Sequence, residues 1–403
     1  MEQQTTPLMQ NRTFVLLLVA GIFAVVGFSM FLTTTTWYVV TDIGSSSSLG
    51  VVLIVATVPR LLMMIYGGVV ADKYKKTTIM FATNLAQGFL LLIIYLLVAS
   101  DWMTFTLLLI IAGIFGMLDA FFGPASSSMI PKIVPKHQLQ RANAFFQGVD
   151  QVSFVIGPIL AGVVMEFSGV ASSYLIATIL VFLSAVIIFP PFIKESAVEN
   201  DVKQSPLNDF KEGLSYVLKS NFLLVGLIVL ITLNFFVFGT LQIAIPLLVD
   251  LHGGSPLNLS YMEVSLGVGM IIGTGILGTV MLKRKGLVSI LGLLASLIIF
   301  LIFSQVPNLF LLTLLVFFIG LAMAFVFVPF FTAVQENTEN RLMGRVMSIV
   351  FLAMNGFDPI SYGVVSGLVA INVSIQIILL SFGIVGFIIA LSVFVKAREF
   401  KTI

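Results

Sequence analysis

Four ionisable residues stand inside otherwise apolar stretches of this chain: Arg60, Asp119, Asp150 and Asp358. A charged side chain at the centre of a lipid-spanning helix costs about 3 kcal/mol, so each one calls for a function and a partner. At a rise of 1.5 Å per residue, Arg60 lies roughly 18 Å in from the polar turn at Asp72 and Asp150 roughly 13 Å in from Arg141. Asp358, followed by Pro359, lies roughly 20 Å in from Arg345. Asp119, five residues before Pro124, is shallower. The chemistry open to such a set is proton exchange, with Asp150 as the first candidate carrier, Asp358 and Asp119 behind it, and Arg60 as the tuning cation. The alternative is a permanent ion pair.

Other chemistries find no residues to perform them. The chain has no Cys, and its two His, His137 and His252, fall in predicted loops, so no metal site is expected. No nucleophile and base can be assembled into an enzyme site, and no G-x-x-x-x-G-K-[ST] phosphate loop occurs, so neither catalysis nor ATP hydrolysis is expected. No cofactor is called for. In the seventh apolar run Asn234 and Gln242, with Phe235 and Phe238, are candidates to line a substrate cavity. The 37 Phe and 17 Met would give it a greasy, adaptable surface.

These residues must be positioned by membrane helices. The chain is 59% hydrophobic and 9% charged, too apolar for a water-soluble core with a polar shell. Runs of about 20 apolar residues, enough for a hydrocarbon layer of about 30 Å, recur along it. Twelve are read, at 13–40, 49–70, 77–99, 103–123, 142–166, 172–192, 222–249, 260–281, 287–304, 308–333, 344–369 and 373–395. The first is long for a secretory signal and reads as a retained helix. Of 20 Lys and Arg, all but Arg60 fall at the chain ends or in alternate loops, including Lys73, Lys76, Arg141 and Arg345. This places both termini and the 193–221 segment in the cytoplasm of a multi-pass protein. The net charge of +2 is thereby explained without a nucleic-acid partner. Residues 1–192 and 222–403 form two six-helix halves, joined by the 193–221 linker. In that linker Phe210, Leu214, Val217 and Leu218 recur at helical spacing, which predicts a helix lying at the interface.

The halves resemble each other. "GGVVADKYKK" after the second span has a counterpart in "LGTVMLKRKG" after the eighth, with Leu282 in place of Asp72, and "ILAG" at 159–162 matches "VVSG" at 364–367. Repeats of this kind are common in transporters. Basic residues in the turn follow from topology, but the acid does not. Gly68, Asp72, Lys73 and Lys76 match G-x-x-x-D-[RK]-x-G-[RK]-[RK], and on them the chain resembles the major facilitator superfamily. Lys75 stands where that pattern has its second Gly. The resemblance implies twelve helices in two halves around a central cavity. It also implies that Asp72 locks onto the start of the eleventh helix, with Arg345 or Arg141 within reach. Arg60 would then face Asp358 of the other half or Asp150 of its own.

In "QVSFVIGPILAG", Gly157, Pro158 and Gly162 are similar to the glycine–proline motif of superfamily exporters, and an ordinary proline kink is the alternative. The stretches "FFGPASSSMIPKIVPKHQLQRANAFFQGVD" and "EGLSYVL" resemble the macrolide-efflux and siderophore-exporter branch. The expected function is proton-coupled efflux of amphipathic, drug-like or macrolide-like molecules by a monomeric antiporter of the cell membrane. A lipid or lysolipid translocator, or an exporter of a siderophore or other metabolite, is the alternative.

Overall fold

The computed structural model describes residues 8–43, 47–135, 138–193, 206–339 and 342–402. Within these it leaves aside the side chains of 65–73, 206–210, 124, 127, 128, 131, 140, 143, 144 and 344. Every regular element among the described residues is helical. This is the expected solution for a chain with this much apolar surface, because an α-helix satisfies its own backbone polar groups where no water can. Among the described residues ten helices are long and apolar enough to cross a membrane.

One of those ten, Phe145–Ile187, belongs to the 49-residue run α5 (Leu139–Ile187), far longer than one crossing requires. It is interrupted at Gly169, where φ is +83°, a conformation open to glycine and strained for a residue with a Cβ. It therefore divides into two helices. With the shorter apolar stretch Ser48–Met64 of α2 (Ser48–Lys73), the described helices accommodate twelve crossings.

Contacts group the chain into two compact units. One contains Met1–Ile43 and Val55–Asp201, the other Gly44–Ile54 and Val202–Ile403. In the first, α1 (Arg12–Thr41) packs along α5, with α3 (Lys76–Ala99) and α4 (Phe105–Ile133) beside them. Lipid offers no hydrophobic gain between helices, so small and hydroxyl residues make these joints. Thr34 Oγ1 lies 2.6 Å from Ser173 Oγ, Thr35 Oγ1 lies 3.0 Å from the Tyr174 hydroxyl, and Ser184 Oγ donates to the Ala20 carbonyl at 2.7 Å. Between them Phe31 packs on Phe115, ring centres 4.3 Å apart.

Besides Gly44–Ile54, the second unit contains α6 (Pro206–Lys219), followed by α7 (Asn221–Leu233) and α8 (Gly239–Leu251). Next come α9 (Pro256–Thr279), α10 (Lys285–Phe303) and α11 (Leu309–Asn337). The eleventh crossing is split into α12 (Met343–Asn355) and α13 (Asp358–Ala370), and α14 (Ile375–Lys396) with the short α15 (Arg398–Thr402) ends the chain. Residues 234–238 form a π-helical turn between α7 and α8. The predicted linker helix is present as α6. It is fastened to α12, where Arg345 pairs with Glu212 and a Cβ on Gly213 would fall 2.9 Å from the Arg345 Cβ.

Candidate functional site

In the first unit the charged centre is built around Arg60, which follows Pro59 on α2. Its Nε lies 2.8 Å from Asp119 Oδ2 on α4, an ion pair whose N–H is not aligned as a hydrogen bond. The guanidinium carbon stands 5.4 Å from the Phe28 ring centre on α1, a cation–π contact. Phe28 in turn stacks on Phe115 at 5.9 Å and meets Phe154 edge-on at 6.4 Å. The acid that Arg60 meets is thus Asp119. Within this unit it does not pair with Asp150, which is exposed on α5 and has no hydrogen-bond or ion-pair partner among the described residues.

The glycine–proline stretch sets the α1–α5 crossing that carries this aromatic floor. Pro158 lacks an N–H, which leaves the carbonyl of Phe154 without its usual donor four residues on. Ser29 Oγ of α1 approaches that carbonyl at 3.5 Å. Gly157 faces Ser29 so closely that a Cβ there would collide with the Ser29 Cβ. Gly162 is buried one turn further along.

Of the turn residues singled out above, Gly68, Asp72 and Lys73 lie on α2 where side chains are outside the described set. The backbone there is helical through Lys73, and only Tyr74 and Lys75 separate α2 from α3. Lys76 opens α3 and is buried. Arg141, near the start of α5, stands over the Phe145 ring at 5.8 Å. Arg345 is engaged by Glu212 of α6.

The second unit has its own buried acid. α12 stops at Asn355, and the chain restarts as α13 with Asp358 and Pro359 in its first turn, where a missing N–H costs nothing. Asp358 is 6% exposed, and its Oδ1 has no hydrogen-bond partner among the described residues. One turn on, Ser361 Oγ donates to the Phe235 carbonyl at 2.8 Å and lies 3.4 Å from Thr240 Oγ1. That carbonyl is available because the π-turn shifts the bonding register: the Gly239 N–H goes to Asn234 O. Gly239 permits the approach, since a Cβ there would sit 2.8 Å from the Ser361 Cβ. α13 therefore docks on an irregularity of the seventh crossing, with Asp358 on the docking side of the helix.

The cavity candidates take different places. Asn234 is buried and donates to the Leu230 carbonyl of its own helix at 2.9 Å. Phe235 stacks on Phe382 of α14 at 5.7 Å. Phe238 and Gln242 are half-buried. The π-turn itself was missed by sequence reasoning, although Gly239 followed by Thr240 within a run of phenylalanines was a possible signal.

Known proteins share this fold and, in part, this sequence. "Macrolide efflux protein A" of Enterococcus faecalis is 25% identical over 308 residues, covering 72% of this chain and 92% of that protein. "Putative bacilysin exporter BacE" of Bacillus subtilis is 22% identical over 289 residues, 70% of each. Among solved structures, the nucleoside transporter NupG superposes with a TM-score of 0.71 at 16% identity, covering 96% of this chain and 99% of that one. An auto-inhibited POT family peptide transporter reaches 0.76 at 11% identity, covering 97% and 98%. The family model of the Major Facilitator Superfamily matches residues 17–357, from the first crossing to the break before Asp358. The chain belongs to the Major Facilitator Superfamily.

Proposed function

We propose that this transporter exports amphipathic small molecules across the cell membrane by alternating access, exchanging them for protons, with both termini in the cytoplasm. Asp358 carries the reading. A carboxyl enclosed at a helix break, with one oxygen unpartnered, can hold a proton in a closed site and yield it when water reaches the break. Arg60 already has its counter-charge in Asp119, and Asp150 is open on the surface of α5. Asp358 is therefore the preferred carrier. A proton entering down 100 mV supplies about 2.3 kcal/mol, enough to drive modest accumulation. The similarity to proteins named for macrolide efflux and bacilysin export supports the outward direction.

The test is uptake of a macrolide or an amphipathic dye into everted vesicles, with and without a protonophore. Wild-type protein should accumulate the probe only while the proton gradient stands. Asp358→Asn should abolish accumulation yet keep downhill exchange. Protonophore-insensitive accumulation by the wild type would end the proton-coupled reading, and a fully active Asp358→Asn would return the role to Asp150 or Asp119.

A further inference from the structure

A groove of about 590 Å³ runs along the first unit between α1 and α5, within the range of small-molecule sites. Its wall on α5 is one helical stripe: Arg141, Phe145, Val149, Val152 and Ile156 are spaced by three and four residues and face Ile22 of α1. The stripe is about 22 Å long at 1.5 Å per residue. Arg141 lies one turn before the apolar span that begins at Phe145, so it stands at the membrane edge while Ile156 lies deep within. Phe145 is fixed from behind by Phe14, ring centres 6.4 Å apart. The cation above it is therefore held over a rigid aromatic wall.

Arg141 has no carboxylate within ion-pair reach among the described residues, and its guanidinium lies over the Phe145 ring. A guanidinium stacked by its face keeps its edge N–H donors free. Asp150 is not on the stripe and does not line the groove. Apart from the Ser153 hydroxyl the cavity is apolar along its length, and at the membrane edge it carries one positive charge, Arg141, with no counter-charge among the described residues. Neutral alkyl molecules would leave that charge unused, and cationic ones would be repelled by it.

We infer that this groove binds a single-chain amphipath with an oxyanion head, the head on Arg141 and the alkyl chain laid along Phe145, Val149, Val152 and Ile156. Resting on the export reading above, the inference makes anionic amphipaths a substrate class of the transporter. Arg141 supplies a fork of donors matched to two oxygens of a phosphate or carboxylate. The chain length that fits is set by the stripe.

Equilibrium binding to the purified full chain in neutral-lipid nanodiscs tests this, with dodecyl phosphate, laurate, dodecyltrimethylammonium and dodecyl maltoside as probes. The two oxyanions should bind at least tenfold tighter than the cation and the neutral sugar. Arg141→Gln should remove that preference and Arg141→Lys restore part of it. Val152→Trp, which fills the groove, should weaken all four, and it decides the matter if Arg141→Gln fails to fold. Equal affinities for the four probes, as at a seam of bulk lipid, overturn the proposal. So does unchanged oxyanion binding in a folded Arg141→Gln or Val152→Trp protein. Tight dodecyl phosphate binding without its transport in proteoliposomes keeps the site and refutes export of this class. Macrolide export without oxyanion binding keeps the export reading and refutes the site.

Discussion

Arg60 and Asp119 divide one membrane-embedded charge problem between two helices. Their side chains are 40% and 18% exposed, so the pair is only partly enclosed by protein. Removing one charge leaves the other without compensation. Asp119→Asn should therefore reduce both folded yield and transport, and Arg60→Gln added to it should recover yield without recovering transport. Fluorescence-detected size exclusion together with an efflux assay separates the two. Sequence spacing proposed Asp358 or Asp150 to face Arg60, whereas the structure sets Asp119 beside it. Residue spacing gives depth along a helix, whereas the partner depends on rotation about the axis, which neighbouring helices decide. Gly239 offers a steric test. A Cβ 2.8 Å from that of Ser361 should overpack the α8–α13 crossing, so Gly239→Val should cost about 1–3 kcal/mol, read as a lower melting temperature.

At the scale of elements, the informative features are interruptions. The sequence reads 344–369 as one span, with Pro359 as a visible signal; the structure breaks it at 356–357, leaving Asp358 at a helix start. The span at 222–249 contains no such signal before Gly239. An inserted π-turn preserves apolar character throughout, so hydropathy cannot reveal it. The linker helix was legible because polar and apolar residues alternate at helical spacing. Its docking partner was not, since Glu212 and Arg345 are 133 residues apart in the chain. Glu212 is 42% exposed and Arg345 19%, so this clasp adds little to global stability. It does hold α6 against the first half of the eleventh crossing. Glu212→Gln should leave the melting temperature nearly unchanged while increasing protease cleavage near Lys219, measured by limited trypsin digestion. Equal cleavage in both proteins would show that α6 is held by packing at Gly213 alone.

The whole molecule was the most legible level, because twelve apolar runs and alternating basic loops fix an architecture with little help from individual side chains. Its orientation is open to direct measurement, since the chain has no native Cys to interfere with labelling. Gln305→Cys should react with an impermeant maleimide from outside intact cells, and Lys283→Cys only after the membrane is opened. The reverse pattern would invert the assignment. The clasp between α6 and α12 also bears on how such a gene could be cut and rejoined. Arg345 and Glu212 both belong to the second unit, so a crossover before the codon for Pro206 passes them on together, whereas one after Lys219 separates them. Chimeras with related proteins should therefore resist trypsin near Lys219 as the parents do when joined ahead of residue 206, and be cut there more readily when α6 is inherited from one parent and α12 from the other.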